Sequence, residues 1–91
     1  MNDTAPPLPV EIAHCSPEAL QLVRYRFNPS GLPQVERIKL LSAALITELQ
    51  RIQADTANLA TAAKREAAVA ITHVQTASMF GVAAATSSLP A

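Results

Sequence analysis

Residues Gln34 to Ile52 read QVERIKLLSAALITELQRI. Val35, Ile38, Leu41, Leu45, Leu49 and Ile52 recur at intervals of three and four, which lays one apolar stripe along an α-helix. Leu40 and Ile46 broaden the stripe, and no Gly or Pro interrupts it before Asp55. A second helical pattern is clearest from Thr61 to about Ala84. Its stripe is Ala67, Ala70, Ile71, Val74, Ala77 or Ser78, and then Gly81. Small residues along that line let helix backbones approach closely. Val69, Met79, Phe80 and Val82 form a second apolar face, and two apolar faces on one helix imply a partner on each. Asp55-Thr56-Ala57-Asn58 reads as the turn between the two helices or as a helix restart.

Upstream, Ser16-Pro17-Glu18 is a helix start: a hydroxyl N-cap, proline at the first helical position and an acid in the first turn. A short helix is predicted from there to about Arg24. Tyr25 to Pro33 is a loop, since two prolines and a glycine break any period. The expected fold is all-α, a short N-terminal helix followed by a long antiparallel helical hairpin that oligomerises. Residues 1–15 are expected to be an irregular Pro-rich segment, 16–86 one hairpin domain and 87–91 a short tail. No internal repeat and no strand pattern is present.

Assembly follows from composition. Eighteen of the 91 residues are alanine, so the 49% hydrophobic content is mostly small side chains. A chain this short buries only about 60% of its unfolded surface, and each buried alanine contributes little transfer energy. The single cysteine, Cys15, allows no internal disulfide and no cysteine zinc cluster. Association is then the available route to stability. The chain is too short for a Rossmann domain or a TIM barrel. Met1 to Pro9 has no Lys or Arg and does not read as a signal peptide. Ala67 to Ala91 carries no charge over 25 positions, but its many Thr, Ser and Gln and few large apolar side chains favour a helix buried by copies of itself over a membrane span.

The net charge is zero but unevenly spread: −3 over residues 1–23, +3 over 24–39 and zero over 40–91. Arg24-Tyr25-Arg26-Phe27-Asn28 interleaves cations with aromatics, with Arg37 and Lys39 following on the first long helix. That composition suits a base stacked on a ring with phosphates held by Arg, and the amides of the helix start add positive potential. It equally suits a hydrophobic staple made by Phe27 with solvated arginines around it. Lys64-Arg65 is a smaller basic spot, or an ordinary solvated turn.

Catalysis finds no candidate. His14 and Cys15 are neighbours in sequence, which seldom face each other as a nucleophile–base pair must. His73 has Thr76 and Ala77 where a metal site would place its second ligand. It reads as a hydrogen-bonded histidine at a polar layer of the bundle, or as a ligand contact. No carboxylate pair and no glycine-rich phosphate loop occurs.

The pattern resembles the phage anti-CBASS cyclic-oligonucleotide sponge family, the Acb/Tad-type hairpin domain. The residues that carry the resemblance are Tyr25-Arg26, then Glu36, Ile38 and Lys39, and the run Thr72-His73-Val74-Gln75-Thr76-Ala77-Ser78-Met79. It spans about residues 24–86. It implies a small helical protein that assembles as a homohexamer and is not an enzyme. Such proteins sequester cyclic dinucleotides such as cyclic GMP-AMP (3′,3′-cGAMP) intact, some also bind cyclic trinucleotides, and effectors of CBASS defence are thereby starved. On this resemblance Tyr25 stacks on a base and Lys39 holds a phosphate, with Arg26 and Asn28 supporting them from the same loop. Phe27 is the alternative stacking ring. Ile71 stands where the family often has an arginine before the Thr-His pair, and Arg65 is its possible replacement. The full candidate set is Tyr25, Arg26, Phe27, Asn28, Arg37, Lys39, Arg65 and His73. The resemblance implies no cofactor, no metal, no membrane and no long nucleic acid as partner, and a place in the cytoplasm of the infected bacterial host. The competing reading is an interaction protein, a helical hairpin that assembles through its Ala-rich faces and binds a protein partner.

Overall fold

The computed structural model describes residues 7–55 and 61–90. Among these the chain forms a 3₁₀ turn, Ile12–His14, and three α-helices: α1 Pro17–Leu22, α2 Pro33–Ala54 and α3 Thr61–Thr86. No strand occurs among the described residues. Helices α1 and α3 both pack on α2, which is therefore the central element. The molecule is elongated, 48 × 25 × 19 Å. Asp55 caps the end of α2, and the rest of the expected turn, Thr56 to Asn58, lies outside the described residues.

Residues 11–15, just before α1, are held by local and α2 contacts. The His14 ring accepts the Glu11 amide proton at Nδ1 (2.8 Å), which closes the 3₁₀ turn. The Cys15 thiol then lies 3.9 Å from the Leu40 carbonyl oxygen on α2. Ser16 caps α1 as expected: its Oγ accepts the Ala19 amide proton at 3.0 Å. The same hydroxyl donates to Gln50 Oε1 at 2.6 Å. Thr47 Oγ1 accepts the Ser16 amide proton at 2.9 Å and donates to the Ala43 carbonyl at 2.8 Å. One serine thus caps a helix and ties it to its neighbour.

Helix α1 stops at Leu22, short of Arg24. The Arg24 amide donates to the Gln21 carbonyl (3.0 Å) and the Tyr25 amide to the Leu20 carbonyl (2.9 Å). This is the Schellman ending, in which the residue after the cap adopts the left-handed conformation. Arg24 takes it, with φ +54°. Helix α2 begins at Pro33, and its cap, Leu32, has no side-chain acceptor to offer. The loop supplies one instead: Ser30 Oγ accepts the Leu32 amide proton (3.1 Å) and donates to Asn28 Oδ1 (2.6 Å).

The core is small, as the composition requires. Ala19, Val23, Ala43 and Ile46 are buried together, with Cys15, Leu20, Tyr25, Ile71 and Val74 packed around them. Ile38 on α2 meets Gly81 on α3, while Ala43 and Ile46 meet Ile71 and Val74. Ascending α2 matches descending α3, so the two long helices are antiparallel. A Cβ added at Gly81 would lie 3.1 Å from Ile38 Cγ2, tighter than ordinary packing. The glycine marks a close approach of the two backbones.

The stripe on α2 needs correction. Val35 is buried, but Leu41, Leu45 and Ile52 face outward, Leu45 with 50% of its surface exposed. The buried face is Val35, Lys39, Leu40, Ala43, Ile46 and Thr47. At about 100° per residue, Ala43 sits roughly 200° round the helix from Leu41. The face that carries Ala43 takes both neighbours, α1 and α3, and so forms the interior. Leu41, Leu45 and Ile52 are left for contacts beyond this chain. On α3 only Ala67 and Ser78 are buried, while Met79 is 71% and Phe80 72% exposed. By length and composition alone α3 is also apolar enough to cross a membrane.

Candidate functional site

The basic-aromatic loop lies against α3 and leaves two adjoining concavities. One, of about 360 Å³, lies between Val23, Arg24 and Lys39 on one side and Gln75, Ser78 and Met79 on the other. The second, of about 670 Å³, runs past Leu20, Arg24, Tyr25, Arg26 and Phe27. Leu22, Arg24 and Gln75 line both and form the ridge between them. These volumes fall in the range of small-molecule sites, roughly 300–1,000 Å³.

Each wall has a local cause. The Schellman turn ends α1 and reverses the chain, so residues 24–27 stand in a row over α3. Tyr25 is half-buried with its ring on the core margin, and it also borders the larger concavity. Phe27 is 66% exposed. A ring this open does not act as a hydrophobic staple on α2. Arg26 is exposed beside both rings.

Lys39 is the group that holds this row in place. It is 7% exposed, and its Nζ donates to the Arg24 carbonyl at 2.8 Å and to the Phe27 carbonyl. The Phe27 amide closes the same turn on the Arg24 carbonyl at 3.0 Å. The ammonium also lies 5.7 Å from the centre of the Phe27 ring, within the range of a cation–π contact. Burial pushes the Lys39 pKa below the usual lysine range, and the positive charge of Arg24 adds to the effect. An ammonium has three protons. Two are held by carbonyls, and the lysine still borders the smaller concavity.

The remaining candidates separate from this cleft. Asn28 is turned inward on its own loop: its Nδ2 donates to the Leu32 carbonyl at 3.1 Å, and its Oδ1 is taken by Ser30. It borders a further hollow with Ile12, Tyr25, Arg26, Gly31 and Glu36, and Tyr25 and Arg26 stand between that hollow and the larger concavity. That hollow is where the first turn of α2 opens, and it carries the Glu36 side chain. The helix start and Lys39 therefore do not form one anion site. Arg37 is half-buried on α2 and borders none of these concavities. Arg65 and His73 meet in a shallow hollow on α3 with Glu66, Val69 and Ala70. His73 is exposed there, not part of a polar layer inside the hairpin. It precedes Gln75 by two residues, roughly 200° round the helix, so the two belong to different faces.

Arg24, Gln75, Ser78 and Met79 were not among the candidates. Gln75 and Met79 lie in the run that carries the family resemblance, but nothing in their types marks them as lining a cleft. His14 and Cys15 are likewise separate: the His14 Nδ1 is bound to the Glu11 amide, and the Cys15 thiol is packed on α2, where burial raises its pKa. Among the described residues no three His, Cys, Asp or Glu side chains come together to hold a metal.

No curated protein and no solved structure matches the chain. A family model does, over residues 17–86, from the first residue of α1 to the last of α3. The chain belongs to the Acb2/Tad1 hairpin-domain family.

Proposed function

We propose that this protein binds cyclic dinucleotides and sequesters them uncleaved, as a phage anti-defence protein that keeps CBASS effectors from being activated. Family membership supports the coarser part of this reading, an anti-CBASS, sponge-type binding role. The observation that carries the finer part is the pair of adjoining concavities, one bordered by Lys39 and the other by Tyr25, with Arg24 and Gln75 common to both. A cyclic dinucleotide is a compact dianion with two flat bases. It requires ring faces and a few cations rather than a broad basic surface, so a neutral chain suits it.

In this reading Tyr25 stacks on one base, with Phe27 beside it. The third proton of Lys39 goes to a phosphate, and Arg26 supports it from the loop. Asn28 contributes by shaping the loop. Arg37, Arg65 and His73 are assigned to a site that needs a second protomer. The outward Leu41, Leu45 and Ile52, with Met79 and Phe80, support assembly, and the proposed assembly is a homohexamer. The place of action is the cytoplasm of the infected bacterial host.

Titration calorimetry against a panel of cyclic di- and trinucleotides, with the assembly mass measured alongside, tests the proposal. Saturable binding of at least one cyclic dinucleotide is the expected outcome. Absence of heat and of thermal shift across the whole panel would favour the interaction-protein reading.

A further inference from the structure

The left-handed residue of the Schellman turn is ordinarily glycine, with asparagine next. A side chain there crowds the following carbonyl. This chain places Arg24 at that position, with φ +54°. Backbone hydrogen bonds hold the turn, but glycine would make the same bonds, so they do not account for an arginine there. Arg24 is exposed, and among the described residues no hydrogen bond or ion pair holds its guanidinium. It also stands near the buried ammonium of Lys39, a like charge. Strain of this kind persists chiefly where it serves a site.

The surroundings show what it serves. Arg24 and Gln75 both border the two concavities. The Arg24 carbonyl is fixed twice, by the Lys39 Nζ and by the Phe27 amide. The backbone of this arginine is thus clamped while its planar fork is left unengaged. Two cations beside one cleft, with no carboxylate lining it, are reconciled by an anion between them. A guanidinium offers paired N–H groups that match two oxygens of a phosphate.

We propose that Arg24 is a phosphate-binding residue of this cleft, presented to it by the left-handed turn that Lys39 holds in place. This rests on the reading of the cleft as a cyclic-dinucleotide site. It adds a residue outside the candidate set and gives Lys39 a second role, as the positioning residue for Arg24.

Arg24→Gly separates the side chain from the backbone, because glycine relieves the turn while removing the guanidinium. With 3′,3′-cyclic GMP-AMP as the calorimetric probe, the variant is expected to bind roughly 10- to 100-fold more weakly than the wild type, the scale of one charge-assisted hydrogen bond. Its melting temperature should equal or exceed that of the wild type. Lys39→Met is the second variant. If Lys39 also acts through Arg24, part of its cost in affinity disappears in the Arg24→Gly background, although its cost in melting temperature remains. Wild-type affinity in Arg24→Gly overturns the inference and leaves the cleft reading standing. Absence of wild-type binding to this probe and to every other cyclic dinucleotide of the panel overturns both.

Discussion

A lysine ammonium withdrawn from water keeps its proton only where oxygens surround it. Lys39 has two backbone carbonyls, and its pKa is nonetheless depressed by burial and by Arg24. In the unliganded protein, folding therefore works against the charged lysine. Where the folded pKa lies below the unfolded one, the unfolded chain binds more protons, and stability rises with pH through that window. Ligand binding should have the opposite sign. A phosphate favours the charged form, so affinity should fall as pH rises through the lowered Lys39 pKa. Calorimetry over a series of alkaline buffers should show this slope, and Lys39→Gln should flatten it. An unchanged slope in the variant would remove Lys39 from the ligand contacts. Tyr25 is tested by contrast. Tyr25→Phe keeps the ring and should bind within a few-fold of wild type, while Tyr25→Ala should lose roughly 1–3 kcal/mol, one stacked base. At this scale the sequence was partly legible. The cation–aromatic alternation pointed to the loop, since residue type alone carries that signal. The inward turn of Asn28 and the left-handed Arg24 were not legible, because both depend on where the chain reverses.

The elements are held by few contacts, so single positions matter. Ser16 caps α1 and binds Gln50 on α2 with one hydroxyl. Ser16→Ala should lower stability by roughly 1–2 kcal/mol, read by chemical or thermal unfolding. Gly81 lies against Ile38, and Gly81→Val should overpack that crossing by roughly 1–3 kcal/mol. Ile38→Ala in the same chain should recover part of the loss, and a purely additive pair would contradict the packing described. Helix existence and the α1 start were readable from spacing and from Ser16-Pro17-Glu18. The buried face of α2 was not. Periodicity ranks positions by hydrophobicity, and Leu41, Leu45 and Ile52 outrank Ala43. Packing ranks them by how closely neighbours can approach, and with α1 on one side and α3 on the other the alanine won.

At the scale of the whole molecule, many of the larger apolar side chains lie outside. Leu41, Leu45 and Ile52 on α2, and Val69, Met79 and Phe80 on α3, are all exposed in the single chain, whose own core is mostly alanine and valine. An assembly that covers these faces accounts for both facts. Leu45→Glu or Phe80→Glu should shift the mass in solution toward the single chain, and a wild type that is monomeric at all concentrations would refute assembly. The central claim is capture without chemistry. Its direct test is to incubate the protein with a cyclic dinucleotide, measure the free ligand, digest the protein and analyse what is released. The account predicts that free ligand falls and that intact cyclic dinucleotide returns after proteolysis. Recovery of linear products would contradict it.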